Sequence, residues 1–152
     1  MRVNMLRLLT LLLLAALLGG CASQADQARQ DGLSIPMDSL TQEPSFIDWT
    51  QNDRPMQLIA RKTAQGAIRL AFNTCQSCSG SPYAWFEYIG GGMLQCQNCG
   101  QTFNIEVVGT PRATGCNPVT ITDFTVENGA VIVPAETLDA GASLFENWKV
   151  FD

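Results

Sequence analysis

The sequence predicts a mainly β fold: a small domain of sheet and hairpins, ribbon-like, carrying two CxxC metal knuckles and little helix. Three observations predict it. Apolar residues recur at period two, as at Ile68, Leu70 and Phe72, which puts them on one face of an extended strand. Turn signals follow one another closely, at Gln51 to Pro55, Thr63 to Gly66, Gly90 to Gly92 and Asn128-Gly129. Third, Cys75-Gln76-Ser77-Cys78 and Cys96-Gln97-Asn98-Cys99 stand seventeen residues apart. Two residues between cysteines let a tight turn aim both sulfurs at one point, and a second such turn completes a tetrahedron.

A chain of 152 residues, 46% of them hydrophobic, is long enough for one domain with a buried core. Not all of that hydrophobicity is structural. Residues 1–20 read as a signal peptide, with Arg2 and Arg7 ahead of an apolar run from Leu8 to Leu18 that is too short to cross a bilayer. The run closes on Leu18-Gly19-Gly20-Cys21, which resembles the lipobox of bacterial lipoproteins, with Cys21 the lipidated residue of a mature N-terminus. Residues 21–32 are then a lipidated cysteine and a flexible Ser/Gln/Asp/Ala tether, and 33–152 the cysteine-rich domain. This organisation predicts a membrane-anchored, extracytoplasmic protein of the bacterial cell envelope, facing the periplasm in a Gram-negative cell.

Along the domain, Leu33 to Ile35 alternates and meets Pro36, which predicts an edge strand. Phe46 to Trp49 is an aromatic-rich strand. Met56 to Lys62 and Ala67 to Phe72 form a hairpin that delivers the chain to Cys75. Tyr83 to Ile89 is dense in β-forming aromatics and stops at Gly90-Gly91-Gly92; Met93-Leu94-Gln95 leads into Cys96. Phe103, Ile105 and Val107 alternate as a further strand. Val119 to Val126 and Ala130 to Val133 flank Asn128-Gly129, a type I′ hairpin signal. Ala135 to Phe145 holds one short helix, weakened by Gly141.

Charge and residue types exclude several functions. Nine Lys/Arg stand against fourteen Asp/Glu, and cleavage before Cys21 would remove two of the nine, so the domain has no electrostatic reason to bind nucleic acid. The chain has no histidine, which removes His-containing zinc sites, haem attachment through CxxCH, and Cys-His or Ser-His-Asp catalysis. Glu87 and Glu106 are isolated and make no acid-base pair, so no catalytic residue is assigned.

Three stretches in order resemble one bacterial family: Gly66 to Cys78, Leu94 to Phe103, and Gly115-Cys116-Asn117-Pro118. The family is that of the membrane iron-sulfur, FtrD-like C-terminal domain, and the resemblance spans about Leu33 to Phe145. It implies a membrane-associated metal or iron-sulfur domain, in some relatives linked to iron uptake, with Cys75, Cys78, Cys96, Cys99 and Cys116 as candidate ligands. Envelope iron-transport or redox proteins are the partners it implies. The family usually carries Asp where Asn73 stands, which leaves open what this position does here.

The sharper chemistry has competitors. The spacing favours one tetrathiolate site for Cys75, Cys78, Cys96 and Cys99, whereas an oxidising compartment would favour two disulfides. Four thiolates suit zinc, a single iron or an iron-sulfur cluster, and the residues do not choose among them. Thiol-disulfide exchange is a second functional class, although a redox CxxC normally opens a helix and neither pair here is followed by a helix start. A third is a zinc-stapled interaction module. Cys116 reads as an accessory ligand, a free thiol beside the site, or a buried core cysteine. Tyr83, Trp85, Phe86 and Tyr88 read first as a core strand and second as a shield for a redox centre; Met93 reads as packing.

Overall fold

A computed structural model describes residues 32–111 and 115–151; the signal peptide, Cys21 and almost all of the tether lie outside the described residues. The fold is mainly β, as the sequence predicts, with three antiparallel sheets, two of them flanking a central one. The central sheet is ordered β2 (Ser45–Gln51), β3 (Arg54–Lys62), β4 (Ile68–Cys75) and β8 (Pro118–Ile121). On one side lies a sheet ordered β1 (Leu33–Pro36), β10 (Ala130–Val133) and β9 (Thr125–Glu127). On the other lies the β5 (Phe86–Gly90), β6 (Met93–Cys96) and β7 (Thr102–Asn104) meander.

The central strands explain why there are two cores. Leu58, Ala60, Leu70 and Phe72 project to one face and join a large apolar cluster with Leu33, Val131, Val133, Leu138 and Trp148. Ile59, Ala71 and Cys75 project to the other and join Phe86, Leu94, Cys96, Val108 and Cys116. Successive side chains of a strand point to opposite faces, so a stretch buried on both faces is apolar at consecutive positions, as Leu58-Ile59-Ala60 of β3 and Leu70-Ala71-Phe72 of β4 are. The cysteines therefore belong to the second core, between the central sheet and the β5-β6-β7 meander.

Several predicted elements stand with small shifts, and two are corrected. β1 is an edge strand, and β9 and β10 turn at Asn128-Gly129 as expected. The strand predicted through Ile105 and Val107 stops at Asn104. There the Asn104 side chain accepts a hydrogen bond from the Glu106 N–H and starts a 3-10 turn, Ile105–Val107, which still buries both apolar side chains. The run from Val119 to Val126 is two strands, because Thr122 to Phe124 carries the chain from the central sheet to the β1-β10-β9 sheet. The helix is α1 (Ala135–Ala142), followed by a 3-10 turn over Ser143–Phe145. Gly141 is tolerated in it because the Phe72 ring occupies the space that a Cβ would need.

Candidate metal centre

Each cysteine is carried to the centre by a backbone feature with a local cause. Cys75 ends β4, where the register against β8 shifts between Phe72 and Cys75; its N–H donates to Ala84 O at 3.0 Å. The chain then turns, with the Cys78 N–H on Cys75 O at 3.2 Å. Cys96 ends β6, its N–H on Gln101 O at 2.9 Å, and Gly100 closes the second turn with its N–H on Cys96 O at 2.8 Å. Gly100 has φ +72, a conformation that a side chain would strain. Both knuckles thus sit at strand ends, in the ribbon-like arrangement expected.

The loops are stitched to one another around the sulfurs. The Ser81 hydroxyl donates to Asn98 Oδ1 at 2.6 Å, joining the first knuckle to the second. The Ser77 hydroxyl donates to Gly115 O at 2.7 Å, and the Gln76 N–H to Asn117 O at 2.8 Å, joining the first knuckle to the loop of Cys116. Asn73 anchors the approach: its Oδ1 accepts the Phe86 N–H at 2.8 Å and its Nδ2 donates to Phe86 O at 3.1 Å and to Gln57 Oε1 at 2.6 Å. An amide that both donates and accepts mimics a strand partner and holds β5 against β4. A carboxylate in its place could not donate here.

The sulfurs of Cys75, Cys78, Cys96 and Cys116 all lie within 4.8 Å of one another. Cys99 Sγ is outside that mutually close set but touches Cys116 Sγ at 3.3 Å; Cys75 and Cys116 are 3.0 Å apart. All five thiols are free. Cys75, Cys96 and Cys116 are buried, Cys78 is half-buried and Cys99 is exposed. The structure therefore gathers all five predicted cysteines, with Cys116 inside and Cys99 at the rim.

Burial governs the thiol acidities. It raises Cys78 above the usual thiol range, raises Cys96 to about 12 and raises Cys116 further still. The backbone N–H groups of Cys99 and Asn98 pull Cys96 the other way without overcoming burial. Cys99 is lowered, chiefly by the Gln101 N–H and next by the Cys116 thiol. Buried thiols that resist ionisation become thiolates when a metal ion replaces their protons, and a coordinated thiol is deprotonated outright. Donors that are all sulfur suit zinc, iron, Cu(I) or an iron-sulfur cofactor and disfavour hard cations.

Comparison with known proteins agrees with this donor set. The family described as membrane iron-sulfur containing protein, FtrD-like, matches residues 40–145. The chain belongs to the FtrD-like family. No curated protein and no solved structure matches it. All-thiol donors of this kind suit a metal ion or an iron-sulfur cofactor in their chemistry, as the FtrD-like description implies. That description also makes the family membrane-associated, and among the described residues no helix is long and apolar enough to cross a membrane.

Other predicted residues divide between the two cores. Phe86 is buried beside Cys75 and Cys96, edge-on to Phe103 at 6.0 Å, and Tyr88 packs at the margin of that cluster. Trp85 packs on the opposite core and Tyr83 is 50% exposed, so only part of the aromatic run borders the FtrD-like centre. Glu106 pairs with Arg61 at 2.8 Å, a structural use. Sequence reasoning missed the clasp on the first knuckle: the Lys149 N–H donates to Pro82 O at 2.9 Å and Asn147 Nδ2 to Gly80 O at 3.1 Å. The Lys149 ammonium lies over the Trp85 and Trp148 rings at 4.5 and 4.4 Å. The one signal for it is a lysine beside a tryptophan.

Proposed function

We propose that this FtrD-like chain is a lipid-anchored protein of the bacterial envelope, tethered through Cys21, whose thiolate metal or iron-sulfur centre serves electron transfer or iron handling for iron uptake. The observation that carries the reading is the convergence of thiols from three separate chain segments on one pocket, with no disulfide among the described cysteines. Partners would be envelope iron-transport or redox proteins meeting the rim where Cys99 is exposed. The dithiol-disulfide alternative draws on the 3.0 and 3.3 Å thiol contacts, but Cys75 and Cys96 both end strands and gain no helix N-terminus to activate them. A zinc-stapled interaction module would use the same thiols, and metal identity separates it from the proposal.

The test is metal analysis, visible absorption and electron paramagnetic resonance on the full-length chain, extracted from membranes without chelator or oxygen. Iron with thiolate charge-transfer bands, bleached and restored by one-electron reagents, is the expected result. Zinc with a featureless spectrum would leave only the stapled module. Metal-free chain with cysteines blocked as disulfides would sink the metal reading. Fatty-acid labelling that Cys21→Ser abolishes is expected for the anchor.

A further inference from the structure

We propose that the centre holds one metal ion in a four-thiolate shell rather than an iron-sulfur cluster, and that Cys99 and Cys116 are alternative fourth ligands beside Cys75, Cys78 and Cys96. The inference rests on the metal-centre reading above and departs from the family's description in the number of metal atoms.

The size of the thiol set carries the first half. One ion with metal-sulfur bonds of about 2.3 Å has its four sulfurs about 3.8 Å apart along every tetrahedral edge. The four inner sulfurs lie within 4.8 Å of one another, and Cys75 and Cys116, at 3.0 Å, are closer than that edge. In a cluster the thiolates are shared among different irons and lean outward from them, so sulfurs on different irons stand farther apart than the edge of one tetrahedron. The bridging sulfides and additional irons must also fit between them. The gathered thiols include a pair in contact at 3.0 Å, and the Ser81-Asn98 and Ser77-Gly115 bonds tie the three loops together around them.

The number of thiols carries the second half. A tetrahedral ion takes four, and five are present. Mutual proximity selects Cys116 to complete the shell, while the knuckle motif and its backbone donors select Cys99: the Gln101 N–H faces the Cys99 sulfur as the Asn98 and Cys99 N–H groups face Cys96. The two competing sulfurs are in contact at 3.3 Å. Exchange between them is balanced, since one metal-sulfur bond breaks as the other forms and the incoming thiol's proton passes to the outgoing sulfur. The inner set closes on a buried cysteine and the outer set on an exposed one, so the outer set presents the ion to an incoming thiol or chelating acceptor.

The experiment uses the full-length chain in detergent, loaded with Co(II) as a spectroscopic probe, with acid-labile sulfide measured on the protein as isolated. Expected are one ion per chain, no sulfide, and a four-thiolate Co(II) spectrum that survives in Cys99→Ser and in Cys116→Ala. The double variant should lose the spectrum, with affinity down about 100-fold or more, at least the upper range for disturbing a metal ligand's support. On the wild-type holo chain, iodoacetamide should label one equivalent among the five cysteines, chiefly at the exposed Cys99. This needs no variant to fold. Stoichiometric sulfide overturns the single ion, and loss of the spectrum in a folded single variant, or resistance of Cys99 to the label, overturns the exchange. Absence of any metal sinks this inference and the proposed function together, whereas a cluster or a fixed ligand set sinks this inference alone.

Discussion

Cys99 and Asn73 show how environment assigns unlike roles to residues a few ångströms from the same centre. Cys99 is exposed and its thiol is lowered by the Gln101 N–H, whereas burial raises Cys96 and Cys116. Because the thiolate is the nucleophile, the reduced, metal-free chain should alkylate first at Cys99, at a rate that climbs with pH below the ordinary thiol range. Peptide mass spectrometry after timed quenching reads this out, and labelling that begins at Cys96 or Cys116 would contradict it. Asn73 is wholly buried and satisfies both backbone groups of Phe86. Asn73→Ala strands these groups, at about 1 to 3 kcal/mol for each buried polar group left unpaired. Urea unfolding should show a loss of at least about 2 kcal/mol, and an unchanged midpoint would mean that β5 is held by other contacts.

At the scale of elements, α1 and the β3 ion pair make opposite use of burial. Alanine is favoured over glycine in a helix by about 1 kcal/mol, yet Gly141→Ala would drive a Cβ into the Phe72 ring, and overpacking a core typically costs about 1 to 3 kcal/mol. The clash wins, so thermal unfolding should place the variant below the wild type. Arg61 is 2% exposed and bonds Gln42 O and Ile105 O as well as Glu106, whose own side chain is 65% exposed. The Arg61 hydrogen bond, then burial working against it, then the Arg61 charge hold the Glu106 carboxyl below the usual carboxylate range. Its contribution is therefore present above the unfolded-state pKa of about 4.3 and is lost as pH falls through the lower folded value. Denaturation curves of wild type and Glu106→Gln should differ at neutral pH and draw together as pH falls below the unfolded-state value; a constant gap would count against the pair. Elements were legible where periodicity and turn chemistry agree, as at Leu70, Phe72 and Asn128-Gly129. They were not where a local side-chain bond competes with periodicity: Asn104 diverts Ile105 and Val107 into a 3-10 turn that buries the same residues a strand would. The CxxC spacing made the centre legible, but the place of Cys116 was not, since it depends on the register of β8 against β4 and on bonds from Ser77 and Gln76 that no spacing encodes.

Across the whole molecule, the two cores share β3 and β4 yet differ in what completes them. One is aliphatic and aromatic throughout, whereas the other also takes in the thiols of Cys75, Cys96 and Cys116. Metal binding stabilises the native state by mass action, about 4 kcal/mol at a thousandfold excess over Kd. Chelation should therefore speed amide exchange in β5, β6 and β7 and the two knuckles while leaving β1, β9 and β10 protected, as hydrogen-exchange mass spectrometry can show; uniform loss of protection would mean that the cores unfold as one. The bonds from Asn147 and Lys149 to Gly80 and Pro82 add a matter of timing. A polypeptide is made from its N-terminus onward, so Cys75 and Cys78 exist long before the residues that pin down their loop. Until residues 147–149 arrive, the first knuckle has no lid, and metal acquired by the growing chain would be held by a half-finished grip. The first knuckle is thus fastened late, by residues made long after its own cysteines.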